Sequence, residues 1–264
     1  MGIRFCSLSS GSSGNCQYIE TDRMKVLVDA GLSGKRIEIL LSSIGVSIED
    51  IDCILVTHEH IDHVKGIGVL SRRYDIPIFA NEKTWTYMSH LIGEVQEKNI
   101  KIIQSNKSFQ LRDLGIQPFS TFHDAADPVG YCFYYKNIKM SIMTDTGWVN
   151  DEMKKTIKGS DLYVIESNHD LKMLKEGSYP WHLKKRILST RGHLSNVDAG
   201  RVLSEVLKGK GETVLLAHLS KENNIPSLAY ETVSKYVEEC GLDVRKDIEL
   251  NLTYRDKATR VYVL

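Results

Sequence analysis

The chain has 264 residues, of which 42% are hydrophobic, and its 34 basic and 34 acidic residues give a formal net charge of zero. This length and apolar content allow a sizeable buried core. The charge balance excludes strong attraction of the whole chain to nucleic acid or to an anionic membrane, although a local basic patch stays open.

In the first half of the chain, short apolar runs predict strands, and apolar residues three and four positions apart predict helices. The predicted strands cover residues 4–8, 16–20, 25–29, 54–56 and 76–80. The predicted helices cover residues 35–44, 66–74 and 82–92. A loop rich in glycine and serine, residues 9–15, separates the first two strands.

The second half is mostly strand over residues 100–143 and then alternates between helix and strand. The later predicted elements are a helix over 149–157, a strand over 162–165, a helix over 196–208 with Asn196 as its N-cap, a strand over 214–217, a helix over 227–239 and a strand over 260–264. No repeat or long linker is present. This pattern predicts one domain over residues 1–264, with sheets packed face to face and helices outside.

The clearest signal for function is the segment Val-Thr-His-Glu-His-Ile-Asp-His at residues 56–63. His58, His60, Asp62 and His63 come directly after a predicted buried strand. Successive side chains of an extended segment point to opposite faces, so His58 and His60 share one face. Imidazole nitrogen and carboxylate oxygen are ligands of zinc and related divalent metals. The spacing therefore predicts a metal site rather than a solvated polar loop.

Three more potential ligands each follow a predicted strand: His123, Asp145 and His218. A lone histidine at a strand end is usually structural, and an aspartate before Thr-Gly is usually a turn residue. Their order after the histidine cluster favours a shared site instead.

With these seven residues in this order, the chain resembles the metallo-β-lactamase superfamily. Three further segments are similar to the YycJ/WalJ group of bacterial metallohydrolases: residues 7–15 (SLSSGSSGN), 122–131 (FHDAADPVGY) and 165–170 (IESNHD). The resemblance covers nearly the whole chain. It implies a four-layer αββα sandwich of the α/β (α+β) class, with the metal site along one edge of the sheets.

The resemblance also implies a ligand set for two divalent metal ions per chain. His58, His60 and His123 would bind the first ion, Asp62, His63 and His218 the second, and Asp145 would bridge them. Nitrogen and oxygen ligands admit zinc, manganese or iron. Two cations about 3.5–4 Å apart can hold a hydroxide nucleophile between them and clamp the oxygens of a phosphodiester. Asp62 is therefore expected among the catalytic residues as well.

The implied activity is that of a metal-dependent phosphodiester hydrolase, a 5′→3′ DNA exonuclease with DNA as substrate and no nucleotide cofactor or membrane partner. Three alternatives stay open: a small-molecule cyclic phosphodiesterase of the same fold, a thioester hydrolase of the glyoxalase type, and a non-catalytic metal-bound binding module. The complete ligand set argues against the last. Asp145, where zinc β-lactamases usually carry cysteine, argues against a lactamase. The oligomeric state stays open.

A phosphodiester hydrolase also needs a proton for the departing sugar oxygen. His193, in Arg-Gly-His-Leu-Ser, and Glu166, after the strand over 162–165, resemble the histidine and glutamate of phosphodiesterase branches of the superfamily. His193 would act as general acid or phosphate ligand, and Glu166 would hold its charged form. The alternative is that His193 caps the next helix and Glu166 is a surface carboxylate.

Three further features have both a functional and a structural interpretation. Lys184, Lys185, Arg186 and Arg191 form a basic stretch before His193 that could contact a DNA backbone or could be a solvated helix face. The loop over residues 9–15 lacks the Lys-Ser/Thr ending of a P-loop, which argues against nucleotide triphosphate binding. It could line the metal cleft or be a plain turn, and we expect it to line the cleft. His169, Asp170, Asp124 and Asp127 could orient ligands or could be ordinary loop residues.

The remaining observations concern the cellular compartment. The five cysteines have no paired spacing, which predicts free thiols in a reducing cytoplasm. The first ten residues lack the apolar run of a signal peptide, and no segment approaches the roughly 18 apolar residues of a membrane span.

Overall fold

The computed structural model describes residues 2–264 and contains two seven-stranded sheets. The first sheet comprises β1 (Arg4–Ser9), β2 (Cys16–Glu20), β3 (Lys25–Val28), β4 (Cys53–Leu55), β5 (Ile78–Asn81), β6 (Ile100–Ile103) and β14 (Tyr262–Val263). The second comprises β7 (Phe109–Leu111), β8 (Leu114–Ser120), β9 (Val129–Tyr135), β10 (Ile138–Met143), β11 (Leu162–Glu166), β12 (Glu212–Ala217) and β13 (Ile248–Leu252).

Both sheets are antiparallel in one half and parallel in the other. The first sheet has the order β14-β1-β2-β3-β4-β5-β6, antiparallel up to β3 and parallel from β3 to β6. The second has the order β13-β12-β11-β10-β9-β8-β7, parallel from β13 to β10 and antiparallel beyond it. Parallel neighbours end at the same edge of a sheet, so residues that follow them can meet there.

Helices connect many of the strands. They are α1 (Gly34–Ser43), α2 (Ile61–Val64), α3 (Ile67–Tyr74), α4 (Glu82–Ile92), α5 (Asp151–Ile157), α6 (Leu171–Glu176), α7 (Trp181–Ile187), α8 (Asn196–Val206) and α9 (Pro226–Glu239). Among residues 2–264, no helix has the length and apolar character required to cross a membrane.

Three apolar clusters account for the layers. Phe5 and Leu55 of the first sheet share a buried cluster with Tyr131 and Val164 of the second, which places the two sheets face to face. A second cluster joins α1, α3 and α4 to the outer face of the first sheet, and a third joins α5, α8 and α9 to the outer face of the second. The predicted four-layer αββα sandwich is therefore confirmed.

Most predicted elements are present, and two points of the sequence prediction were wrong. β13 and the short helices α2 and α6 were not predicted as elements, and α7 was considered only as the structural alternative for the basic stretch. Ser195, not Asn196, is the N-cap of α8, since its side chain accepts a hydrogen bond from the backbone N–H of Asp198. The Asn196 side chain instead bonds Ser167 and Asn224.

All five cysteines are free, as predicted, and Cys240 alone among them is exposed.

Candidate metal centre

The seven residues of the predicted metal site all lie beyond strand ends. His58, His60, Asp62 and His63 lie between the end of β4 and the first turns of α2, while His123 follows β8, Asp145 follows β10 and His218 follows β12. The structure brings these side chains together. Their ligand atoms form overlapping groups in which all members lie within 4.8 Å of one another.

Two of these residues have a left-handed backbone, and so does a neighbouring aspartate that the sequence did not point to. φ is 54° at Asp145, 55° at His218 and 61° at Asp29. Positive φ is uncommon for residues with a Cβ and persists where the surroundings over-determine it, which is frequent at functional sites. Each of the three residues lies within two residues of the end of its strand.

The first group is formed by the histidines His58, His60 and His123. Nδ1 of His60 lies 3.3 Å from Nε2 of His123. The opposite ring nitrogen is fixed in two of the three: Nδ1 of His123 donates to the Gly192 carbonyl at 3.0 Å, and Nδ1 of His58 lies 3.0 Å from the Thr57 hydroxyl. These contacts orient the remaining nitrogens towards one another.

The second group is formed by Asp62, His63 and His218. Oδ2 of Asp62 lies 3.5 Å from Nε2 of His63 and 3.7 Å from Nε2 of His218. Nδ1 of His63 donates to Oδ2 of Asp29 at 2.7 Å. Asp29 in turn accepts from the backbone N–H and the hydroxyl of Thr57, both at 2.8 Å. Asp29 thus orients a candidate ligand, and its only sequence signal is its position directly after β3.

Asp145 lies between the two groups and is 3% exposed. Its Oδ2 is 3.4 Å from Nε2 of His63, and its Oδ1 is 3.9 Å from Nε2 of His123. One carboxylate therefore faces a member of each group, as a bridging ligand requires.

Unpaired buried atoms test whether these residues fit a cation. Nε2 of His58, Nε2 of His218 and Oδ2 of Asp145 are buried and have no hydrogen-bond partner in the described part of the chain. Leaving a buried polar atom unpaired costs about 1–3 kcal/mol, and more for a charged group. All three atoms are of the kind that bind divalent metals, so the residues fit divalent cations well.

The charges of the polypeptide alone point the same way. Burial lowers the pKa of His63, but the nearby carboxylates of Asp145, Asp29 and Asp62 outweigh it and raise that pKa to about 9. Burial also lowers the pKa of His218, but the carboxylate of Asp145 raises it, and the resulting pKa lies well above the ordinary value. The site is therefore rich enough in negative charge to attract cations, either protons or metal ions.

Glu166 and His193 form a hydrogen-bonded pair beside the two groups. Nδ1 of His193 donates to Oε1 of Glu166 at 2.7 Å, and Nδ1 of His218 donates to the same oxygen at 2.9 Å. Glu166 is the last residue of β11 and is fully buried, so the surface alternative for it was wrong. Burial raises its pKa, but His193 and His218 outweigh this and hold the pKa well below its usual range. Ser195, not His193, caps α8, so that alternative was wrong as well.

A cleft of about 250 Å³ opens over the candidate ligands. His193 lines it, and Ser12 of the glycine- and serine-rich loop lies at its wall. Asn15 of the same loop reaches the site, with Nδ2 3.0 Å from Nε2 of His63 and 3.3 Å from Oδ2 of Asp62. This loop, residues 9–15, therefore lies along the cleft.

Helix α7 forms another wall of the cleft. The residues of the predicted basic stretch do not share one surface. Arg186 lines the cleft and is ion-paired with Asp124. Lys184 is buried, because its Nζ donates to the carbonyls of Lys175 at 2.8 Å and Gly177 at 2.6 Å. Including Lys184 in a solvent-facing patch was therefore wrong. Arg191 donates to the carbonyl of His123 at 3.0 Å.

The four residues predicted to orient ligands have different surroundings. Asp124 lies 3.3 Å from Nε2 of His123 and pairs with Arg186. Asp170 is the N-cap of α6, and Asp127 accepts from the Ser105 hydroxyl at 2.9 Å. His169 is buried, and burial lowers its pKa to about 4. Within residues 2–264, Asp124 is the one of these four that contacts a candidate metal ligand.

Comparison with known proteins gives a consistent result. A family model described as a beta-lactamase superfamily domain matches residues 24–219. The chain is 46% identical to an exodeoxyribonuclease YycJ of Bacillus anthracis over 263 residues, 99% of both chains. It is 44% identical to an exodeoxyribonuclease WalJ of Streptococcus pneumoniae over 261 residues, 98% of this chain and 97% of the other.

Solved structures agree on the fold. The metallo-beta-lactamase fold protein YhfI of Bacillus subtilis superposes with a TM-score of 0.75 at 15% identity, over 98% of this chain and 99% of the other. At that identity, the likeness shows the fold alone.

Proposed function

The chain belongs to the metallo-β-lactamase superfamily, within its YycJ/WalJ group, and from this premise we propose that it is a metal-dependent exodeoxyribonuclease that degrades DNA from the 5′ end. The single observation that carries this proposal is the similarity to two proteins named exodeoxyribonuclease across essentially the whole of both chains. The convergence of seven ligand-type side chains, five of which line one cleft together with His193, supports it independently.

The proposed metal centre would hold two ions, zinc or manganese, with iron as a further candidate. His58, His60 and His123 would hold the first ion, Asp62, His63 and His218 the second, and Asp145 would hold both. Bound ions of this kind lower the pKa of water and neutralise the charge of a phosphodiester. Asp29 and Gly192 fix the tautomers of His63 and His123 for this purpose.

His193 is the proposed general acid for the departing sugar oxygen. With Nδ1–H donated to Glu166, its Nε2–H is the remaining proton that can reach a ligand in the cleft. The ionised carboxylate of Glu166 stabilises the imidazolium that carries both protons. Glu166 is buried and acts through His193 and His218, so it is a positioning residue rather than a group that contacts substrate.

Arg186 is the proposed contact to the DNA backbone at the cleft. Its guanidinium is half-exposed and is paired with Asp124, which itself lies beside His123. Guanidinium groups bind phosphate oxygens well because their donors match the geometry of the anion. We also propose that residues 1–264 act as one domain and that the enzyme works in the cytoplasm, in keeping with its free thiols.

One assay tests the proposal and its main competitor together. The purified protein with Mn²⁺ or Zn²⁺ is given end-labelled duplex DNA, single-stranded DNA, RNA, a 2′,3′-cyclic nucleotide and bis(p-nitrophenyl) phosphate. We expect release of mononucleotides from the 5′ end of DNA, and loss of this release in an Asp145→Ala variant. A preference for the cyclic phosphate over DNA by orders of magnitude in kcat/KM would make the enzyme a small-molecule phosphodiesterase instead.

A further inference from the structure

A second cavity, of about 560 Å³, adjoins the metal cleft. Ser220 lines both spaces, and the loop over residues 9–15 contributes to both, with Ser12 in the cleft and Ser10 and Ser13 in the cavity. Ser220 follows the candidate ligand His218 by two residues, at most about 7.6 Å of chain. At a rise of about 3.4 Å per nucleotide, that distance corresponds to about two nucleotide steps.

The walls of the cavity are held by contacts that also hold the metal centre. Ser10 Oγ accepts from the backbone N–H of His218 at 2.9 Å, and the Ser10 N–H donates to the carbonyl of Tyr254 at 2.8 Å. The Arg255 guanidinium donates to the carbonyl of Leu219, and the Arg255 carbonyl accepts from Ser9 Oγ at 2.6 Å. These hydrogen bonds therefore fix the position of the cavity wall relative to His218.

The lining has the chemistry that single nucleotides need. Tyr254 lines the cavity and is 40% exposed, and the Nζ of Lys257 lies 4.2 Å from its ring centroid. Lys221 and Arg255 also line the cavity, against a single carboxylate, Asp256. Aromatic rings stack with nucleobases and cations contact phosphates, which together bind single strands.

We propose that this cavity is a nucleotide subsite, in which the nucleobase next to the scissile phosphate stacks on Tyr254. Lys221 then lies near the phosphate of that same nucleotide. The proposal rests on the proposed function, because it assigns the cavity to the same DNA strand that the metal cleft would cleave. Its volume falls within the range of about 300–1,000 Å³ that small-molecule sites occupy. The cavity would hold the strand end in line with the cleft and require a base at that position.

A binding experiment tests the subsite without turnover. Deoxyadenosine 5′-monophosphate and 2-deoxyribose 5-phosphate are titrated into the purified protein, and binding is measured by calorimetry. Both carry the same phosphate, so tighter binding of the nucleotide isolates the base. We expect Tyr254→Ala to weaken nucleotide binding by roughly 5- to 150-fold, the loss typical of one stacked base, and Tyr254→Phe to retain it. Tyr87→Ala is the matched control, because Tyr87 is an exposed tyrosine on α4, 57% exposed, that lines neither space.

Cleavage of modified DNA gives the second measurement. Single-stranded DNA with an abasic residue at the first or second position from the 5′ end is compared with intact DNA. The wild type should favour intact DNA at one of these positions, and Tyr254→Ala should move that ratio of kcat/KM towards one.

The outcomes separate the two proposals. Equal affinity of the wild type for the nucleotide and for the sugar phosphate would overturn the subsite even if DNA is cleaved. Base-dependent binding that requires Tyr254, in a protein that cleaves no DNA, would support the subsite and refute the exonuclease.

Discussion

Nδ1 of His193 lies 2.7 Å from Oε1 of Glu166, a carboxylate that is fully buried at the end of β11. The second oxygen, Oε2, accepts from the backbone N–H groups of Thr146 at 3.0 Å and Leu194 at 3.3 Å, so the carboxylate cannot rotate. The orientation of the His193 ring is therefore set by the protein before any substrate binds. Oε1 also accepts from Nδ1 of His218 at 2.9 Å, which couples the proposed acid to the metal centre.

The first prediction separates proton donation from metal binding. We expect His193→Ala to keep its metal content and to lower kcat on DNA by roughly 10²–10⁴-fold. The loss should be smaller on bis(p-nitrophenyl) phosphate, because p-nitrophenolate departs without a proton. Equal losses on both substrates would contradict the general-acid role.

The second prediction concerns Glu166, which serves both histidines. Glu166→Gln removes the charge that stabilises an imidazolium and replaces one acceptor oxygen by a donor. We expect it to lower kcat on DNA, as His193→Ala does, and also to weaken metal binding by roughly 10–100-fold through His218. Metal titration with a chromophoric chelator distinguishes the variants. An unchanged metal affinity in Glu166→Gln would limit Glu166 to orienting His193.

The third prediction tests the bridge. Protein prepared without chelator should contain close to two metal ions per chain by elemental analysis. Asp145→Ala removes the one carboxylate that faces both ligand groups, so both ions should be bound more weakly. A variant that retains both ions at wild-type affinity would refute the bridging assignment.

The fourth prediction is a pH dependence whose sign follows from His63. In the polypeptide alone its pKa is raised to about 9, so below pH 9 a proton competes with the metal. Metal affinity should therefore fall as pH decreases from 9, by up to about tenfold per pH unit for each displaced proton. For the protein stripped of metal by a chelator, the free energy of unfolding has the opposite pH dependence. The raised pKa of His63 adds stability that is complete below about pH 6.5 and is lost as pH rises through 9.

Zinc competition assays and thermal unfolding, each between pH 6 and 9, measure these two slopes. Asp29→Asn provides the control, because it removes one of the carboxylates that raise the pKa of His63. Its metal affinity should depend less steeply on pH. A wild-type metal affinity that is independent of pH over this range would contradict the assignment of His63.

How much the sequence could predict depended on how local each signal was. The layers followed from apolar periodicity, and helix α4 was predicted with its observed bounds, Glu82–Ile92. The ligand candidates were visible because four of them lie within six residues and the others follow strands. Asp29 could not be predicted, because its role depends on His63, 34 residues further along the chain.

Local signals also misled where tertiary contacts decide. Lys184 lies in the most basic segment of the chain, yet its ammonium group is used to pair two backbone carbonyls before α7. Asn196 is a good N-cap residue by type, but its amide is engaged by Ser167 and Asn224. The surroundings of Lys184 depend on the path of the chain before α7, and those of Asn196 depend on partners remote in sequence. Residue type alone indicates neither.

The last prediction uses this division of the basic stretch. Arg186 faces the cleft, Lys184 is buried, and Lys185 is exposed with its Nζ 5.6 Å from the Trp181 ring centroid. If Arg186 contacts a phosphate, Arg186→Ala should raise KM for DNA and reduce the slope of log affinity against log salt by about 0.7–0.9. Lys184→Ala should instead lower the stability of the fold by about 1–3 kcal/mol, because two carbonyls lose their donor. Lys185→Ala is the matched control for removing one positive charge from the same helix.

DNA binding measured at several salt concentrations, together with thermal unfolding, resolves the three variants. Equal salt slopes for Arg186→Ala and Lys185→Ala would show that Arg186 serves only its pair with Asp124, and that the DNA backbone is bound elsewhere on the cleft.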